Sequence, residues 1–294
     1  MESLTKNKCA HGLGLILVFD HDGENYDDEI AFARANFAAD IINLAKNVGP
    51  GLARQAGLDK CTKDFVVFAD ADDYFYQNAL DSVLERLKNA KFDLLLTAFR
   101  YERDNEVKIM QNNAAWLHGK VYRRSFLVKH KIHFNSYRSN EDNGFNRLVL
   151  LYKPKVAFEK TITYVYSENP KSITRRNNRE YKYYSLEFLA KNYLWAINEY
   201  LNNCKECDYE AIALALLSLL LSMYYYYLDY YDVFEVDKIL AWSKDALALY
   251  RKYSPQLSTS KIDNYLAIYD EEYPNANKRF SFDEFLAKIE AIDD

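Results

Sequence analysis

The chain has 294 residues, a net charge of -5 and an aromatic content of 16%, with 26 tyrosines against 8 glycines. That length holds a substantial core in one or two domains, and no Lys/Arg-rich block marks it as a nucleic-acid coat, which leaves the Arg175 to Arg179 stretch as the one local basic patch. Four scattered cysteines and a polar N-terminus without an apolar core argue against a disulfide framework and a signal peptide, so a reducing cytoplasm is expected.

Leu13 to Phe19 is an apolar run that ends on Asp20 and Asp22, and it predicts a strand with carboxylates at its C-terminal end. A helix over Asp27 to Phe37 and a strand around Ile41 to Leu44 follow. Residues 47–58, NVGPGLARQAGL, join a glycine turn to a helix. Gly49 and Gly51 permit a tight bend, and Pro50 suits a turn or a first helical turn. The helix N-terminus attracts an anion, with Arg54 as a clamp for phosphate or carboxylate.

Residues 65–73, FVVFADADD, run five apolar residues into Asp70, Asp72 and Asp73. The run reads as a strand buried on both faces, as in a parallel sheet between helical layers. Ligands of such sheets sit in the crevice beyond the strands' carboxyl ends. In extended geometry Asp70 and Asp72 leave on the same side. Two close carboxylates then favour a hard divalent cation, Mg2+ or Mn2+, held against a phosphate. The same residues also fit a solvated turn that caps a helix from Tyr76 to Ala90.

HGKVYRRSFL (118–127) and NEDNGF (140–145) come next, and Asn140 stands where it can cap a helix over Asn143 to Leu151. TYVYSENPKSIT (163–174) predicts a tyrosine-rich strand and a polar loop. His130 and His133 read as surface residues. After Asn178 glycine disappears and helical spacing takes over. One helix carries Tyr184, Phe188, Ile197 and Leu201 on a face; others cover Tyr209 to Tyr231 and Phe234 to Tyr250. A last one starts at Ser281, whose Glu284 completes a capping-box pattern. Ala211 to Leu228 carries no charge and just reaches transmembrane length. It lies mid-domain between acidic flanks, so a buried central helix is expected. Tyr224 to Tyr227, Tyr230 and Tyr231 cover all faces of that helix, so some are expected at the surface, where they can fill an interface or stack on sugars. Cys204 and Cys207 form a C-x-x-C without the further ligands a zinc site requires.

The order VFDHDG (18–23), NVGPGLARQAGL, FVVFADADD, HGKVYRRSFL and NEDNGF resembles the family 2 glycosyltransferases of GT-A fold, over residues 13 to about 176. The resemblance implies an α/β GT-A domain with a mixed sheet flanked by helices (1–176), followed here by an all-helical domain (177–294). It implies transfer of a sugar from a nucleotide-diphosphate donor, a UDP-sugar foremost, with inversion and with a divalent metal on the diphosphate. Position by position, Asp20 or Asp22 matches the nucleobase acid, Arg54 the family's arginine, and Asp70 the residue near nucleoside or sugar. Asp72 matches the metal ligand and Asp142 the catalytic base. Gln55 replaces the usual asparagine. Ser172, Thr174 and Arg175 match the loop that meets the diphosphate.

Family members open with a further strand and helix before the VFDHDG-like strand. That unit is expected to be missing or to lie upstream of Met1, which leaves a sheet edge and part of the nucleotide pocket uncovered. The expected acceptor is a glycan, a lipid-linked or wall polymer, a protein or a modified DNA base, and the helical domain is a candidate for oligomerisation. Two other readings stay open: a non-catalytic relative that binds or assembles, and a nucleotidyltransferase.

Overall fold

In this computed structural model the residues described are 1–9, 12–103, 106–113, 115–167, 169, 179–232, 234–274, 276 and 279–292. They divide into two units, Met1–Arg176 and Asn177–Asp294. The first unit begins with a short helix, α1 (Glu2–Thr5), then β1 (Gly14–Phe19), α2 (Asp27–Asn36), β2 (Ala38–Asn43) and α3 (Pro50–Lys60). β1 and β2 pair in parallel, from Gly14 opposite Ala38 to Phe19 opposite Asn43. α2 is the crossover that a parallel pair requires. α3 lies on β1 closely enough that a Cβ on Gly57 would stand 3.3 Å from Val18.

β3 (Phe65–Val66), β4 (Tyr74–Phe75), α4 (Ala79–Leu87), β5 (Leu94–Arg103), β6 (Glu106–Met110), β7 (Lys120–Arg123), α5 (Arg124–Lys129), α6 (Glu141–Leu151) and β8 (Val156–Tyr166) complete this unit. Their sheet runs β3-β7-β5-β8-β4, with β6 also on β5. β5 and β8 are parallel and the other pairs antiparallel, so the sheet is mixed. β1 and β2 form a separate two-stranded sheet.

The split has a local cost. The run 65–69 is expected to form a doubly buried parallel strand, yet only Phe65 and Val66 are in a strand, and it is antiparallel to β7, with Val67 39% exposed. Among the described residues β3 pairs on one edge only, as does β1, whose Leu15 to Phe19 are all half-buried. Each of these edges leaves apolar strand residues without a strand beside them. The core is elsewhere. Phe99 and Tyr164 pack with Phe75 and Leu80, and Leu95 and Val121 with Val83 and Phe92. A third group docks the strand end to α6: Phe68 meets Phe145 at 5.6 Å and Phe134 at 5.2 Å, and Phe134 stacks on Phe145 at 4.0 Å.

The second unit is helical: α7 (Arg179–Asn203), α8 (Tyr209–Tyr230), α9 (Asp237–Tyr253), α10 (Thr259–Glu272) and α11 (Phe282–Glu290). The Asp208 carboxylate caps α8 by accepting from Ala211 N–H at 2.9 Å, and both halves of the Ser281–Glu284 capping box form on α11. α8 is long and apolar enough to cross a membrane, but 78% of its most apolar window is buried within the fold. The tyrosines reach the surface less than expected. Tyr224, Tyr225, Tyr227 and Tyr230 are buried, and Tyr226 and Tyr231 are half-buried. α7, α9, α10 and α11 all pack on α8, and the hydroxyls find partners inside: Tyr224 donates to the Phe280 carbonyl at 2.5 Å and Tyr225 to Asp270.

Candidate active site

The carboxylates at the end of β1 divide their work. Asp20 accepts from the backbone N–H groups of Val48 at 2.7 Å and Gly49 at 2.8 Å, so it builds the glycine turn. Gly49 holds φ at 90°, a conformation open to glycine and strained for other residues. Asp22 is exposed and accepts from the Tyr26 hydroxyl, which holds its carboxyl below the usual range. Of the two it is the one facing solvent at the strand end.

The acids after β3 do not continue extended. Asp73 N–H donates to the Asp70 carbonyl at 3.2 Å and closes a turn. The turn brings Asp73, not Asp72, back beside Asp70. Asp72 is exposed and accepts from Asn169 Nδ2 at 2.8 Å. Asp73 is buried, accepting from the Tyr164 hydroxyl at 2.7 Å and Ser167 N–H at 2.9 Å. Burial pushes its carboxyl up to about 7 despite those bonds, with Asp70 and Asp72 adding repulsion. His118 lies 4.0 Å away, stacked on Tyr164 and Tyr166, and burial lowers its imidazole to about 4. Ligand atoms of Asp70, Asp73 and His118 all lie within 4.8 Å of one another.

α6 supplies the other wall. Asn140 sits in the left-handed region at φ 58°, and the helix starts at Glu141, earlier than the expected Asn143. Glu141 and Asp142 therefore form its first turn. Arg54 spans the site, donating to Glu141 at 2.6 Å and to Asp70 at 2.5 Å. Burial works against its charge, but Asp70 and Glu141 together raise its pKa. For Asp70, burial favours the neutral acid, and Arg54 overcomes it and holds the carboxyl low. Asp142 has no such partner. Burial and then the neighbouring Glu141 push its carboxyl up to about 7. Gly51 is needed for this approach, since a Cβ there would lie 2.6 Å from the Asn135 carbonyl and 3.1 Å from Glu141.

Residues 6–139 match the model of glycosyl transferase family 2. That segment holds the glycine turn, Arg54, the acid turn and His118 in the order just described. Over those residues the chain is similar to this family. Among curated proteins it is 22% identical over 206 residues to the putative glycosyltransferase EpsH of Bacillus subtilis, and 27% identical over 118 residues to an uncharacterized glycosyltransferase of Rickettsia bellii. The matches take in 61% and 40% of the chain but only 59% and 17% of those proteins. Among solved structures, S. aureus TarS 1–349 in complex with UDP-GlcNAc aligns with 95% of the chain and 88% of its own, at a TM-score of 0.64 and 17% identity. The mannosyltransferase PcManGT of Pyrobaculum calidifontis, in complex with GDP-Man and Mn2+, aligns with 98% of the chain and 80% of its own, at 0.53 and 12%. The fold is GT-A with a helical C-terminal region.

The expected site residues are only partly brought together. Arg54, Asp70 and Asp142 converge; Asp20 and Asp72 are engaged elsewhere; Ser172, Thr174 and Arg175 lie outside the described residues. His118, Asp73 and Glu141 join the site without having been given a role from sequence. The signal for His118 was its place in the HGKVYRR motif; for Asp73 it was the third acid of DADD. A hard cation fits the trio Asp70, Asp73 and His118 chemically, because two carboxylates offer anionic oxygens and the imidazole is neutral. The cation's charge would also offset the burial, and the repulsion from Asp70 and Asp72, that raise the Asp73 carboxyl. Among the described residues no other such group occurs, the Cys204–Cys207 pair included.

Proposed function

We propose that the GT-A unit transfers a sugar from a nucleotide-diphosphate donor, a UDP-sugar by preference, to a hydroxyl-bearing acceptor with inversion. The observation that carries this reading is the convergence of the acid turn, His118 and the Glu141–Asp142 helix start, tied by Arg54. The TarS complexes with UDP and UDP-GlcNAc support UDP as the nucleotide. Asp142 takes the proton of the acceptor hydroxyl. The acceptor oxygen bonds to the anomeric carbon as its bond to the diphosphate breaks, and the electron pair leaves with UDP. A carboxyl near 7 is well matched to a base at neutral pH. Asp70, Asp73 and His118 would hold Mn2+ or Mg2+, which supplies positive charge to the diphosphate. Arg54, already shared by two carboxylates, acts as a brace rather than as a phosphate clamp.

One observation favours a second reading, a glycosyltransferase-like binding protein without turnover: the β1–β2 pair stands apart from the main sheet. A single experiment separates the two. UDP and UDP-sugars are titrated by calorimetry with and without Mn2+, and UDP release from the sugars is followed for wild type and Asp142→Asn. Metal-dependent binding with release lost in Asp142→Asn supports transfer. Binding without release in the wild type supports the binding protein. No binding by UDP or any UDP-sugar overturns the donor reading.

A further inference from the structure

Beside His118 runs a row of aromatic rings whose outer end the transfer chemistry leaves unused. Phe99 and Tyr101 of β5 stand opposite Tyr164 and Tyr166 of β8, so all four share one sheet face. Phe99 and Tyr164 are buried, whereas Tyr101 and Tyr166, two residues further out, are half-buried. Trp116 lies over this outer end, stacked on Tyr101 at 5.7 Å and edge-on to Tyr166 at 5.9 Å. His118 lies against Tyr166 at 4.6 Å and continues the wall to the Asp70–Asp73 turn.

The backbone of Trp116 is held at both its polar groups. Asn113 Oδ1 accepts from the N–H of Ala115 at 2.9 Å and of Trp116 at 2.8 Å. Lys120 Nζ donates to the Trp116 carbonyl. Asn146 Nδ2 donates to the Ala115 carbonyl at 2.6 Å and to the Asp142 carbonyl at 3.0 Å, which ties this loop to the base helix. Lys120 is only 2% exposed. Burying an amine to bond this loop's carbonyl is expensive; burial lowers its pKa to about 7, against the attraction of Asp142. Such burial makes sense where the ring on that loop must sit at a fixed place.

We propose that Tyr101, Trp116 and Tyr166 form a platform for the apolar face of a pyranose ring, with Lys120 and Asn146 as positioning residues for Trp116. The inference rests on the glycosyl-transfer reading. Flat half-buried rings take up the C–H face of a sugar, while the carboxylates of the adjoining acid turn can accept from its hydroxyls. The ring can come from the donor's own sugar or from the acceptor.

The test is calorimetry on the full chain for wild type, Trp116→Ala, Trp116→Phe and Lys120→Met. The probes are UDP, UDP-GlcNAc and the methyl glycosides of glucose and N-acetylglucosamine, in Mn2+, the glycosides with and without UDP. If the platform takes the donor sugar, Trp116→Ala weakens UDP-GlcNAc about 3- to 10-fold while UDP is unchanged. If it takes the acceptor, a methyl glycoside weakens by that factor and both nucleotides are unchanged. In either case Trp116→Phe restores most of the affinity, and Lys120→Met lowers it in the same probe alone. Equal loss for UDP and UDP-GlcNAc, no loss for any sugar-bearing probe, or no binding of any sugar by the wild type overturns the platform. A wild type that binds glycosides but not UDP refutes the donor reading while the platform is still decided by the glycoside arm.

Discussion

The two sides of the site are built to different standards. On the chemical side, Asp70, Asp73, Glu141 and Asp142 sit on elements joined by an aromatic cluster, and one arginine bonds two of the four carboxylates. On the side proposed for the nucleotide, Asp20 and Asp22 end a strand with a single partner among the described residues, in a sheet of two strands whose apolar residues stay half-exposed. The contrast teaches where the stabilising energy goes. Buried like charges are costly unless a cation is bonded among them, so the acids that share a pocket come with a brace. The strand end that meets solvent needs only a turn.

The severest way to break that contrast is Arg54→Met. It leaves the buried Glu141 and the half-buried Asp70 without their cation, and unpairing a buried charge, here Glu141, costs about 3–5 kcal/mol. Urea unfolding at pH 7.5 reads it directly. A loss under about 1 kcal/mol, typical of exposed pairs, would mean that the two sides are braced alike.

Asp142→Asn sharpens the comparison through pH. The carboxyl titrates near 7 in the folded chain against a reference of 3.8. Between those values the folded state holds a proton that the unfolded state has released, so this group's contribution to stability falls as pH rises from about 4 through 7. Asparagine stays neutral and still accepts from Asn143 N–H as Asp142 Oδ1 does at 2.7 Å. The variant should match wild type at pH 4 and exceed it at pH 8 by roughly 2–4 kcal/mol. Chemical denaturation at the two pH values checks it, and equal differences at both would place Asp142 in water.

The same contrast marks what was legible in the sequence. The acidic strand end, the glycine turn, the Glu141–Asp142 helix start and the Ser281 capping box all rest on local chemistry, and all form. Which acid faces the pocket was not legible. Extended spacing pointed to Asp72, but the turn is closed by Asp73 N–H, and Asp73 is fixed by the hydroxyl of Tyr164 on a strand 91 residues further along. Arg54 is legible as a clamp for phosphate or carboxylate, but its two carboxylate partners are not, because they come from other elements. The tyrosines of α8 were placed partly at the surface because helical periodicity cannot show that neighbours close on every side. One of those neighbours, α10, escaped prediction altogether, and none of its residues is buried.

Asp20→Ala probes the nucleotide side itself. Its carboxylate holds two backbone N–H groups of the 47–49 turn, and hydrogen bonds to a charged group contribute about 1.5–3 kcal/mol. A drop of about 2 kcal/mol in thermal or urea unfolding is expected, smaller than for Arg54→Met. An equal or larger drop would show that the two-stranded sheet depends on this turn as much as the main site depends on its brace.

The smallest expected effect is the most discriminating. Asp22 is exposed, and its described partners are the Tyr26 hydroxyl and the Glu24 N–H, both in its own loop. Asp22→Ala should therefore leave unfolding within about 0.5 kcal/mol of wild type, as surface changes do. If Asp22 meets the nucleobase, the same variant weakens UDP by several-fold in calorimetry. Unchanged stability with weakened UDP would assign the nucleotide to this thin two-stranded edge. Unchanged stability with unchanged UDP would take Asp22 out of the donor site and leave the braced side as the only one that holds the ligand.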